Sequence, residues 1–145
     1  MTVVIASGYF DPLHVGHIDY LKKASTLGDR LIVIVNNDEQ AKLKKGKSFM
    51  PARDRLEIVQ ALKCVDNTIL AKDKDKTVCE TLELLARPYV DAGLNVVFAK
   101  GGDRTADEIP EAPLCKKYGI KIVDGLGPKI RSSSEIIGGQ ICQTQ

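Results

Sequence analysis

Short apolar runs alternate with helical stretches from one end of the chain to the other. Val3-Val4-Ile5-Ala6, Leu31-Ile32-Val33-Ile34-Val35 and Val96-Val97-Phe98-Ala99 are β-type runs of strand length. Strands are predicted near residues 3–7, 30–36, 68–71, 94–99 and 121–123, and helices near 15–27, 52–63, 76–87 and 112–118. Strand and helix taking turns predict parallel strands joined by right-handed helical crossovers, hence an α/β fold with one doubly wound parallel sheet of about five strands and helices on both faces. Gly28 carries the glycine signal for a helix stop, and Pro51 stands where proline is tolerated as a helix starter. Residues 38–50 are polar, lysine-rich and weakly periodic, and 101–110 are irregular. Both intervals are expected to be functional loops at the same sheet edge. Residues 1–137 form the predicted domain and 138–145 a frayed tail.

A chain of 145 residues is one domain's worth, long enough to bury a proper core. Its apolar runs fall far short of the ~20 residues of a membrane helix. Met1-Thr2 lead straight into a strand without a basic segment or a cleavage site, which predicts no signal peptide and a cytoplasmic address. The formal net charge of +2 does not point to a nucleic-acid partner, although local basic clusters could bind a small anion. Cys64, Cys79, Cys115 and Cys142 are scattered without zinc-site spacing, and are expected to be free, mostly packed thiols.

The chemistry concentrates where the first strand hands over to the first helix, in Gly8-Tyr9-Phe10-Asp11-Pro12-Leu13-His14-Val15-Gly16-His17. In an open α/β sheet ligands collect at the carboxyl ends of the strands, where the next helix points unpaired N–H groups at them. Gly8 and Gly16 are expected to let a polyphosphate approach the backbone. His14 and His17, the chain's two histidines, lie three apart on one face of the incoming turn, so both can hydrogen-bond one group. The bland alternative is a pair of structural histidines bonded to backbone.

This signature resembles the nucleotidylyltransferase superfamily, to which heptose-1-phosphate adenylyltransferases and glycerol-3-phosphate cytidylyltransferases belong. The similarity continues in order through Leu27-Gly28-Asp29-Arg30-Leu31-Ile32-Val33, Arg53-Asp54-Arg55, Lys100-Gly101-Gly102-Asp103 and Ser132-Ser133-Ser134. It implies a Rossmann-like sheet and the transfer of a nucleoside monophosphate from ATP or CTP to a small phosphorylated acceptor, with Mg2+ accompanying the triphosphate and a homodimer as the working form. By the same resemblance His14 and His17 donate hydrogen bonds to the α-phosphate in the transition state, and the backbone of Gly8, Tyr9, Phe10 and Asp11 cradles phosphates. Asp11 orients that turn or helps hold the metal, or else caps its own backbone as aspartate before proline often does. Among Lys42, Lys44, Lys45 and Lys47, a run that could equally be a solvated surface, Lys44 is the position implied to touch a substrate phosphate, with Arg55 on the acceptor side. Lys100, Gly101, Gly102 and Asp103 line the nucleotide pocket. Arg131, Ser132, Ser133 and Ser134 grip the far phosphates, although Ser132 and Glu135 also satisfy an ordinary capping box.

The chain departs from the glycerol-3-phosphate type before its last helix, where Gly127-Pro128-Lys129-Ile130-Arg131-Ser132-Ser133 stands in place of Arg-Thr-Glu-Gly-Ile-Ser-Thr. That departure and the form of residues 100–103 favour ATP over CTP. The alternatives are a cytidylyltransferase of the glycerol-3-phosphate type and a silent nucleotide-binding sensor; an aminoacyl-tRNA synthetase fragment is disfavoured, with no room for a tRNA-binding domain.

Overall fold

In the computed structural model, which describes residues 1–101, 109–124 and 126, the chain runs β1 (Thr2–Gly8), α1 (Val15–Ser25), β2 (Arg30–Val35), α2 (Asp38–Lys45), α3 (Ala52–Gln60), β3 (Asn67–Leu70), α4 (Cys79–Asp91), β4 (Asn95–Ala99), α5 (Ala112–Tyr118) and β5 (Lys121–Val123). The five strands form one all-parallel sheet in the order β3-β2-β1-β4-β5. Alternate residues of each strand feed different cores. Val3, Ile5, Ile32, Ile34, Val96 and Phe98 pack with Leu82 and Ala86 of α4 and Cys115 of α5. Val4, Ala6, Leu31, Val33, Val35 and Val97 pack with Leu21 and Ala24 of α1 and Val59 of α3. Burial on both faces is why these strands are apolar throughout rather than alternating. The fold is Rossmann-like, doubly wound as expected.

Three local outcomes differ from the pattern-based expectation. Residues 38–45 are helix, not loop: Asn37 accepts the Gln40 N–H, Gln40 returns the bond to the Asn37 N–H, and Gly46 closes the helix at φ +87°. Helix α4 starts later than expected because its first N–H groups are capped from a distance, with Asp73 accepting from Glu80 and Thr81. It then runs through Pro88, forfeiting one bond to the carbonyl of exposed Leu84, as Tyr89 and Val90 pack on the core. Gly28 is not a left-handed stop. A Cβ there would lie 2.7 Å from the Thr2 carbonyl, so glycine lets the chain pass against the start of β1.

Among the described residues no helix is long and apolar enough to cross a membrane. Cys64 and Cys79 are half-buried and Cys115 is buried, all as free thiols; Cys142 and the 138–145 tail lie outside the described residues.

Candidate active site

The histidines cap the helix they begin. His14 is the N-cap of α1, its Nδ1 accepting the Gly16 N–H at 3.1 Å, while His17 Nδ1 accepts the His14 N–H at 3.2 Å. The rings stack with centroids 3.9 Å apart. An accepting Nδ1 carries no proton, so each neutral ring holds its proton on Nε2 and presents that atom as a donor. One nitrogen of each ring thus serves the backbone. Gly16 contributes an N–H to that cap.

Phe10, at φ 52°, turns its buried ring back beneath the end of β1 and meets the His17 ring edge-on at 5.0 Å. A Cβ on Gly8 would lie 2.8 Å from that ring. The space expected at Gly8 for a polyphosphate is thus filled by Phe10, and glycine is required there for packing.

Asp11 neither caps its own turn nor offers a metal site. It is fully buried, its Oδ2 accepting the Phe49 N–H at 3.0 Å and its Oδ1 the Met50 N–H at 2.7 Å. With both oxygens engaged by backbone, the donor set does not fit Mg2+. Lys45 Nζ donates to the Asp11 carbonyl and lies 3.9 Å from its Oδ2. Burial holds this ammonium below its ordinary pKa, Arg55 adding to the effect and Asp11 opposing it. Lys44 sits over the Tyr9 ring, its Nζ 4.4 Å from the centroid, which puts it beside the turn after β1. The Tyr9 hydroxyl is buried and meets no hydrogen-bond partner among the described residues.

Arg55 is the clearest correction. Instead of facing an acceptor, it is 1% exposed, with Nε donating to the Met50 carbonyl, Nη1 to those of Tyr9 and Asn36, and Nη2 to Asp38. Each of these donors is engaged by the protein. The arginine clamps the turn after β1 to the connector at 46–51, the same two segments that Asp11 joins.

Asp38, which the chain's pattern did not single out, completes the clamp by accepting from Ser48 and the Ala52 N–H. Desolvation raises its pKa, but the bonds from Arg55, Ala52 and Ser48 outweigh that and hold the carboxyl below its ordinary value. A carboxylate depressed on folding adds stability that is complete above its unfolded pKa, about 3.9, and is lost as pH falls through the lower folded value. Asp38→Asn is therefore expected to unfold at lower urea than the parent at pH 7, the two midpoints converging as pH drops below about 4. A gap independent of pH would contradict this.

Helix α2 also holds the segment after β3. Asn37 Nδ2 donates to the carbonyls of Ala71 and Asp73, at 3.1 and 3.0 Å, and Gln40 Nε2 to those of Asp75 and Thr77, at 2.7 and 2.8 Å. No residue of this set was anticipated, though Asn37-x-x-Gln40 is a legible capping box.

On the other side of β1, Lys100 and Gly101 follow β4 at the same carboxyl rim, since Ala6 of β1 pairs with Ala99. Lys100 donates its N–H to the Val123 carbonyl at 2.7 Å and lays its ammonium 5.7 Å from the Phe98 ring centroid. Gly102, Asp103, Arg131, Ser132, Ser133 and Ser134 lie outside the described residues. Among the described residues no cluster of three or more His, Cys, Asp or Glu could hold a metal ion.

The chain order of the parallel sheet reverses beside β1, and the paired helix-start histidines stand at that crevice, where open α/β sheets bind ligands. The chain belongs to the cytidylyltransferase-like family, whose sequence model matches residues 5–137. It is 40% identical over 124 residues to the bifunctional protein HldE of Streptomyces coelicolor, covering 84% of this chain and 25% of that protein. It is 38% identical over 120 residues to FAD synthase of Pyrococcus abyssi, covering 82% of this chain and 75% of that one. The chain thus spans about a quarter of the HldE length. Among solved structures it resembles the lipopolysaccharide core biosynthesis protein of Thermoplasma volcanium, with a TM-score of 0.64 and 31% identity over 86% of this chain and 95% of that one. A putative nicotinate-nucleotide adenylyltransferase of Vibrio parahaemolyticus shares the fold, with a TM-score of 0.57 and 17% identity over 97% of this chain and 83% of that one.

Proposed function

We propose that the protein transfers a nucleoside monophosphate from ATP, in preference to CTP, to a small phosphorylated acceptor such as a sugar or polyol phosphate. An acceptor phosphate oxygen forms a bond to the α-phosphorus, the bond from that phosphorus to the bridging oxygen of the β-phosphate breaks, and pyrophosphate leaves. The acceptor phosphate is already ionised at neutral pH, so the protein needs to supply position and charge stabilisation rather than a base. His14 and His17 direct Nε2 donors at the developing charge, Lys44 attracts the acceptor phosphate, and the segment opening at Lys100 takes the nucleotide. Mg2+ arrives on the triphosphate, with no protein ligand assigned to it. The protein works as a cytoplasmic homodimer on small molecules, without nucleic acid or membrane.

The observation that carries this proposal is the reciprocal histidine cap at the rim of β1. Incubation with ATP or CTP and Mg2+ is expected to raise the melting temperature, more with ATP, because a ligand that binds the native state alone stabilises it by mass action. Pyrophosphate should then appear with one or more members of a panel of sugar, polyol and alcohol phosphates. Stabilisation by nucleotide with no pyrophosphate from any acceptor would favour a nucleotide-binding sensor instead.

A further inference from the structure

We propose that Tyr20 is a positioning residue for the nucleotide half of the site, setting the height of the Lys100-Gly101 backbone above the crevice between β1 and β4; this rests on the assignment of that segment to the nucleotide. The β1–β4 ladder ends at the Ala6–Ala99 pair, where the two strands part. Backbone groups beyond that point lack a ladder partner and need one from elsewhere. The Tyr20 hydroxyl, carried on α1, supplies it: it donates to the Ala99 carbonyl at 2.6 Å and accepts the Ser7 N–H at 3.4 Å. One side chain thereby bridges the ends of both strands at the switch point. Burial pushes its phenol well above the ordinary range, so it stays a donor throughout the working pH range.

The ring has a second task. A Cβ built on Gly101 would lie 3.0 Å from Tyr20 Cδ1 and 3.4 Å from Cε1 and Cγ, so the Gly101 backbone rests against the ring. With the Lys100 N–H held by Val123 on the β5 side, the segment is supported from two directions where it leaves the sheet. An aliphatic residue at position 20 would fill the core equally well but would leave the Ala99 carbonyl and Ser7 N–H without their partner. The hydroxyl marks a demand for position as well as packing.

Calorimetric titration of the full chain with Mg2+ and ATP, CTP or inorganic triphosphate separates these roles, because inorganic triphosphate has the phosphates without base or ribose. Tyr20→Phe is expected to raise the Kd for the favoured nucleotide about tenfold and to leave that for inorganic triphosphate within about twofold. Gly101→Ala, whose Cβ would meet that ring at 3.0 Å, should produce the same split. Tyr20→Phe with parental nucleotide affinity, or an equal loss for nucleotide and inorganic triphosphate, would each overturn the role of Tyr20. Should the parent protein bind neither nucleotide, the site assignment itself would fall, and the Tyr20 proposal with it.

Discussion

Replacing His14 or His17 with alanine is expected to lower turnover by at least ~100- to 1,000-fold, the range for loss of a donor aimed at developing charge. The two losses should be similar and not multiply, because the rings work as a unit. They stack, and His17 accepts the N–H of His14 while His14 caps the helix that carries His17. His14→Ala also removes an N-cap, which costs about 1 kcal/mol of stability. A cap loss of that size leaves a domain folded at moderate temperature, so pyrophosphate release measured below the variant's melting transition isolates the catalytic effect. Near-normal turnover in the double alanine variant would refute the assignment.

Arg55→Ala is expected to act on folding instead, lowering stability by about 3 kcal/mol or more. The substitution strands the carbonyls of Tyr9 and Asn36 and takes one donor each from the Met50 carbonyl and Asp38. Leaving buried acceptors without donors costs more than a hydrogen bond contributes when made, which is why the effect should be large. Arg55→Lys cannot replace it, since one ammonium cannot span four acceptors in three segments. Urea unfolding with an unchanged slope and a lowered midpoint would report the loss directly. If Arg55 instead touched the acceptor, Arg55→Lys would weaken acceptor use while the midpoint stayed in place.

The layered fold was legible because β1, β2 and β4 are built on continuous apolar runs and most intervening segments carry helix punctuation. Helix α2 was not, for a physical reason. Its inward positions are Gln40 and Ala41, so hydrogen bonds hold it in place of an apolar stripe, and periodicity is silent. Of the site, the histidine turn could be read directly because its residues are adjacent in sequence and serve one another. Arg55 was placed on the acceptor side by resemblance, and its actual acceptors come from three separated segments that only folding gathers. Asp11 and Gly8 belong to the same class of miss: the right residues were singled out, but their partners, the 49–50 backbone and the Phe10 ring, depend on how loops return. Tyr20 was not singled out, since nothing local shows where its hydroxyl ends.

The four bonds from Asn37 and Gln40 to the strand of backbone after β3 make helix α2 and that segment a single mechanical part. Grafting a relative's sequence into only one of them would cut the stitching and leave carbonyls stranded. Chimeras meant to retune acceptor choice should therefore exchange residues 36–45 and 71–77 together.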